Sequence, residues 1–200
     1  MFDLRMTVVA AAAALSVGLA EAAFIVDTGP APAGGTALAL NSLGVSYQNL
    51  GATFNVAQHS TITSVEGWIG GTGNLLFELH QGPNPNGTLL YSSLVSFGNG
   101  ADAWKGALGL TWDVLAGDYT LAVIAQPGFN GQMGVGAPNP VAANWFAGPL
   151  VPNWSTTAFS LGWRVGADAV PAVPEPGSAT LAALGLAALA AGAWRQRQIS

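Results

Sequence analysis

Turn-forming residues interrupt this chain so often that long helices have nowhere to form between its two ends. The 200 residues include 27 glycines and 12 prolines, and no amphipathic stretch of helical period and length lies between them outside the termini. What remains are short runs rich in β-branched and aromatic residues. Ala52–Val56, Thr61–Ile69, Asn74–His80, Thr88–Phe97, Ala107–Val114, Tyr119–Ala125, Gln132–Val135 and Ala158–Val165 each suit a strand. Gln81-Gly-Pro-Asn-Pro-Asn-Gly87 supplies hairpin chemistry between the third and fourth of these, and Gly117-Asp118 marks another tight turn. The expected fold is all-β: an antiparallel β-sandwich, jelly-roll-like, over residues 23–167, with a signal helix before it and a transmembrane helix after it. Alternation along the strands sorts the side chains. Leu75, Phe77 and Leu79 share one face, and Leu76, Glu78 and His80 the other; Tyr119, Leu121 and Val123 oppose Thr120, Ala122 and Ile124.

Charge narrows the functions open to such a domain. Charged residues make up 8% of the chain, and its formal net charge is −5. Between Ala23 and Val170 the only cations are Lys105 and Arg164, against Asp27, Glu66, Glu78, Asp102, Asp113, Asp118 and Asp168. A nucleic-acid partner is excluded, because binding phosphates needs Lys and Arg to displace their counterions. Cysteine is absent, which removes disulfides, thiol chemistry and Cys-based metal sites. About 150 residues bury enough core to fold without such staples.

The two ends carry different signals. Arg5 precedes an apolar, alanine-rich run from Met6 to Leu19, and Ala20-Glu21-Ala22 places small residues where a signal peptidase inspects them. Residues 1–22 therefore read as a signal peptide, with cleavage between Ala22 and Ala23. At the other end, residues 168–177 hold Pro171, Pro174 and Pro176, which fix φ and remove amide donors, so this linker is expected to be extended. Residues 178–194 follow without a charge. At ~1.5 Å per residue they make a helix of roughly 25 Å, at the short limit for a hydrocarbon core of about 30 Å. Trp194 suits the interface, and Arg195 and Arg197 in the 195–200 tail should stay cytoplasmic.

Val173-Pro174-Glu175-Pro176, a Gly-Ser pair, a short Ala/Leu/Gly helix and terminal arginines together resemble the PEP-CTERM sorting tail, also known as the ice-binding protein C-terminal type. The resemblance covers about 28 residues and departs from the family where Gln196 interrupts the basic run. It implies an exported protein of a Gram-negative bacterium, held transiently in the inner membrane and sorted to the cell surface or extracellular matrix. The implied partner is exosortase, the membrane enzyme that removes the helix. Pro174, Glu175 and Pro176 are the implied recognition motif, and Arg195 and Arg197 the orientation signal. Ice binding is not implied by the tail.

For the middle of the chain, the leading expectation is a non-catalytic surface or biofilm-matrix protein, with exopolysaccharide as a candidate partner. Gly-x-Ser-x-Gly, His-Glu-x-x-His and phosphate-loop motifs are absent. The alternative is a carbohydrate-binding module. Six tryptophans, Trp68, Trp104, Trp112, Trp145, Trp154 and Trp163, lie in this region. Trp145 and Trp154 fall in Gly/Pro/Asn-rich segments read as loops, which makes them the candidate glycan-binding pair, with core packing expected for the others. A glycan hydrolase would need two carboxylates at a set separation, drawn from Glu66, Glu78, Asp113 and Asp118. Glu78 and His80 share a strand face but have no third ligand nearby, and His59 sits in a loop, so no metal site or cofactor is expected. Asp27 and Asp168, near the two ends of the domain, are two acids for a structural calcium. Thr61-Ile62-Thr63 is one copy of a spacing that needs an array to form an ice-binding surface.

Overall fold

A computed structural model describes residues 23–43, 46–98, 100–138 and 141–170. Among them are eleven strands: β1 (Ala23–Asp27), β2 (Ala37–Leu43), β3 (Ser46–Val56), β4 (Ser60–Gln81), β5 (Thr88–Phe97), β6 (Ala103–Val114), β7 (Gly117–Ala125), β8 (Asn130–Gly134), β9 (Ala143–Gly148), β10 (Val151–Thr157) and β11 (Trp163–Ala169). The signal peptide at 1–22, the helix at 178–194 and the basic tail lie outside the described residues, as does the linker beyond Val170. So do Ala22, Pro174, Glu175, Pro176, Arg195 and Arg197, whereas Ala23 opens β1.

The all-β, antiparallel character expected from the turn punctuation is present. The expectation of two stacked sheets in jelly-roll order gives way to one 11-stranded sheet, in which β4 is hydrogen-bonded to β5, β6, β7, β8 and β11. The runs at 61–69 and 74–80 read as separate strands, yet both belong to the 22-residue β4. Its first half pairs with β6 from Ser60↔Val114 to Ile69↔Ala103, and its second half pairs with β5 and β7. Between these, Ile69–Thr72 pairs with β8. β2 joins β8 to β3, and β3 pairs onward to β7. The circuit β2–β3–β7–β4–β8–β2 is thus closed by hydrogen bonds.

Five antiparallel steps cannot close with straight strands, because an odd number of reversals returns a strand against its own direction. Some members must bend, and glycine marks where β4 does so. Gly71 and Gly73 hold φ of 128° and 111°, in a region open mainly to glycine. A Cβ on Gly73 would lie 3.0 Å from the Phe129 backbone, and one on Gly131 would lie 2.8 Å from the Phe129 ring. Phe129 is fully buried and plugs the corner that these glycines open.

The face that strand parity gives to Leu75, Phe77 and Leu79 is the core, where all three have no exposure. Tyr119, Leu121 and Val123 join them, together with Trp163, Leu40 and Met133. Thr120 and Ala122, on the other face of β7, are also buried, so something covers that side as well.

Two substitutions test the corner. Phe129→Ala should lower unfolding free energy by about 3–5 kcal/mol through the cavity it leaves. Gly73→Ala should cost on the order of 1–3 kcal/mol through backbone strain. Guanidinium unfolding reads both, and wild-type stability in Gly73→Ala would mean that glycine does not set the bend.

Candidate functional site

The cover over β7 is the β4–β5 connection, folded back across the sheet. Thr53 of β3 and Thr120 of β7 face each other in register, with their hydroxyls 2.9 Å apart. Thr120 Oγ1 donates to the Gly82 carbonyl at 2.9 Å, and Thr53 Oγ1 donates to the Pro83 carbonyl at 3.0 Å. Two hydroxyl protons are shared among these three contacts. Next to Thr120 in register is His80. Its Nδ1 lies 3.1 Å from the Gly87 carbonyl oxygen and its Nε2 lies 3.2 Å from Glu78 Oε2. Both partners only accept hydrogen bonds, so the imidazolium alone can donate from both nitrogens. The hydrogen bond to Glu78 is the main reason the His80 pKa is raised; burial works the other way, and the Gly87 carbonyl adds to the rise. Glu78 and His80 therefore clasp a loop over the sheet.

This cover also accounts for Trp145. Trp145 and Trp154 do not sit in loops: they lie in β9 and β10, both half-buried. The Trp145 indole donates to Thr53 Oγ1 at 2.9 Å, which ties it into the same polar network. The glycine, proline and asparagine around these residues hid two strands that pair with each other and, through β9, with β3. Trp112 and Trp163 are core residues.

The first half of the sheet presents a different surface. Beyond the register shift between Ile62 and Ser64, Val65 and Ile69 point into the core with no exposure. Glu66 and Trp68 alternate with them and point outward. Trp68 is in register with Trp104 of β6, and the two rings meet edge to face, with centroids 5.4 Å apart. The Arg164 guanidinium lies 4.1 Å from the Trp104 ring centre and 5.1 Å from that of Phe24, itself 48% exposed. Arg164 Nε donates to Asp27 Oδ1 at 3.1 Å. Burial pushes the Asp27 pKa up, but the Gly29 amide and Arg164 outweigh it and hold it below the usual carboxylate value. Glu66 is raised, by burial first, against the pull of Arg164.

A cleft of about 710 Å³ adjoins Trp68. The 30–37 segment forms one wall, and Asp102, Gln132, Gly134 and Gly136 line the remainder. Asp102 and Gln132 are exposed, and Gln132 Nε2 reaches Asp102 Oδ1 at 3.5 Å. One sequence signal could have found this surface: in Thr61–Ile69, Trp68 has the parity opposite to Val65 and Ile69. Arg164, Asp102 and Gln132 had no such signal, because they reach the site from separate strands and a turn.

The remaining candidates are dispersed. His59, in the β3–β4 turn, pairs with Asp113 at 2.7 Å, and Asp118 accepts from Asn55 at 2.8 Å. Asp113 and Asp118 do line one cleft of about 500 Å³. Glu66 and Glu78 are not among its lining residues. Asp27 pairs in register with Arg164, whereas Ala23 pairs with Ala167, so Asp168 lies at the far end of that ladder. The two acids proposed for calcium do not converge, and no group of three or more His, Asp or Glu gathers among the described residues. At Thr63 the register shift breaks the Thr-x-Thr period.

The domain is thus an antiparallel β-sheet unit with one face covered by its own loop and another left open. Beyond it, residues 172–198 match the family model described as the PEP-CTERM protein-sorting motif, so the chain carries that motif at the place where the sequence resemblance lies. No curated protein matches the chain.

The His80 clasp gives a pH dependence. A histidine pKa raised on folding stabilises fully below its ordinary value of about 6.5 and loses that contribution as pH climbs through the folded value. The stability gap between wild type and His80→Gln should be widest between about pH 5 and 6.5 and close above it. Thermal unfolding across pH reads this, and a gap that widens with rising pH would show that the clasp does not need the imidazolium.

Proposed function

We propose that this protein is an exported, non-catalytic component of the surface or exopolysaccharide matrix of a Gram-negative bacterium, delivered there through its exosortase-sorted tail. The observation that carries this reading is the sorting motif at residues 172–198. Its parts have separable physical roles. Pro174 and Pro176 fix φ and cannot pair as donors, which favours an extended chain around Glu175 for the enzyme to read. The short apolar helix at 178–194 holds that element at the membrane, and Arg195 and Arg197 keep the end cytoplasmic. A span of marginal length suits a hold that ends with cleavage better than a permanent anchor. The signal peptide at 1–22 supplies entry to the export path.

The non-catalytic part rests on the acids. Glycoside hydrolysis needs one carboxyl kept protonated by burial beside a second, ionised one. Asp113 and Asp118 share a cleft, but Asp113 is 62% exposed and bound to His59. The carboxyl raised by burial is Glu66, which does not line that cleft.

Replacing Pro174-Glu175-Pro176 by alanine tests the sorting. In the native host, the wild type should leave the membrane fraction with an intact mass lacking the tail, while the variant stays membrane-bound at its longer mass. Should the wild type keep its tail, or the variant lose it equally, exosortase processing is wrong.

A further inference from the structure

The open face beside Trp68 has the chemistry of a sugar site. A pyranose ring offers an apolar C–H face and a rim of hydroxyls. Recognising it takes a flat aromatic ring and planar polar groups beside that ring. The Trp68 cleft holds one aromatic side chain, one carboxylate (Asp102) and one carboxamide (Gln132), with much of its remaining wall made of glycine, alanine and proline. At about 710 Å³ it falls within the ~300–1,000 Å³ typical of ligand sites.

Trp68 is held in place before any ligand arrives. Its backbone amide donates to the Gly162 carbonyl at 3.0 Å. A Cβ on Gly162 would come within 2.6 Å of the Trp68 Cβ, and one on Gly134 within 3.1 Å of the indole Cδ1, so the side chain lies on bare backbone. Trp104 abuts its ring edge to face, and Arg164 stacks on Trp104 in turn. A platform fixed in this way loses little conformational entropy when it binds. Asp102 and Gln132 meet only at 3.5 Å. A carboxylate accepts about four hydrogen bonds and a carboxamide both donates and accepts, so the pair keeps capacity for two neighbouring hydroxyls.

We propose that this cleft binds a neutral polysaccharide, with Trp68 stacking on one sugar ring and Asp102 and Gln132 holding its hydroxyls. The charge decides the ligand class. Asp102 is the only ionisable residue among those lining the cleft, and Arg164 is already bound to Asp27. Lys105 feels the charge of Asp102, but it is engaged by the Gly71 carbonyl at 3.4 Å and the Phe97 ring and does not line the cleft. A polyanion would therefore meet the Asp102 carboxylate within a chain of net charge −5. The inference deepens the matrix reading by giving the polysaccharide partner a site and a chemistry.

The test uses the exported, full-length mature protein in affinity electrophoresis and titration calorimetry. The probes are soluble β-1,3- and β-1,4-linked glucans, with alginate and heparin as polyanions. The neutral glucans should bind, and Trp68→Ala and Asp102→Ala should each weaken binding at least about tenfold, or about 1.4 kcal/mol. Trp68→Phe should retain most of the affinity. Asp102 is exposed, so its variant keeps the proposal testable if Trp68→Ala fails to fold. Binding of the polyanions alone would overturn the ligand class. Loss with Trp145→Ala but not with Trp68→Ala or Asp102→Ala would overturn the site while leaving a polysaccharide partner in place. No binding to any probe by a protein whose tail is correctly processed would overturn this inference and leave the sorting intact.

Discussion

Bending β4 without breaking its ladder is the constraint on which the rest of the architecture depends. A ring of five antiparallel pairings closes only if its members turn, and β4 carries the turn while bonding to partners on both sides of the corner. A β-branched residue there would break the pairing or straighten the strand. Gly71 and Gly73 adopt backbone angles closed to most side chains, and the Phe129 ring occupies the volume left empty. Opening that corner would separate β7 from β8 along β4, and with them the two surfaces that differ most in character.

Those surfaces are made by the same alternation and finished differently. On the half where β4 meets β7, Thr53, Thr120 and His80 point away from the core, yet each is buried. Their polar atoms are satisfied by carbonyls of the Gly82–Gly87 loop and by Glu78, as buried polar groups require. On the half where β4 meets β6 the Trp68 and Trp104 rings are half-buried. Trp68, Trp104, Arg164 and Phe24 stack on one another instead, in a chain of ring–ring and cation–ring contacts. The first face is closed by the protein itself, and the second is available to something else.

The tail and the domain divide the work in a way that their compositions reflect. The sorting motif is read from proline spacing, a short apolar run and terminal arginines, so its meaning lies in local order along the chain. The domain carries few charges, and the proposed preference for a neutral hydroxylated polymer over a polyanion rests on that scarcity.

What the sequence alone determined follows from local physics. Proline and glycine spacing excluded helices from the middle, alternation put Leu75, Phe77 and Leu79 together on one face, and the scarcity of Lys and Arg argues against nucleic acid as a partner. The sorting motif was equally legible, because Pro174-Glu175-Pro176, the apolar run and the arginines are read in order along one stretch. Tertiary structure decided the rest. Gly70-Gly-Thr-Gly73 reads as a break between strands, and only the pairing of β8 and β7 along the same edge makes it a bend inside one. Trp145 looked like a loop residue because Gly, Pro and Asn surround it, but pairing with β3 outweighs that local preference and gives its indole to Thr53. Trp68 comes beside Asp102 and Gln132 through β4, the approach to β6, and β8, segments far apart in sequence. Parity along one strand can show which way a tryptophan points, but what stands next to it is settled by which strands pair.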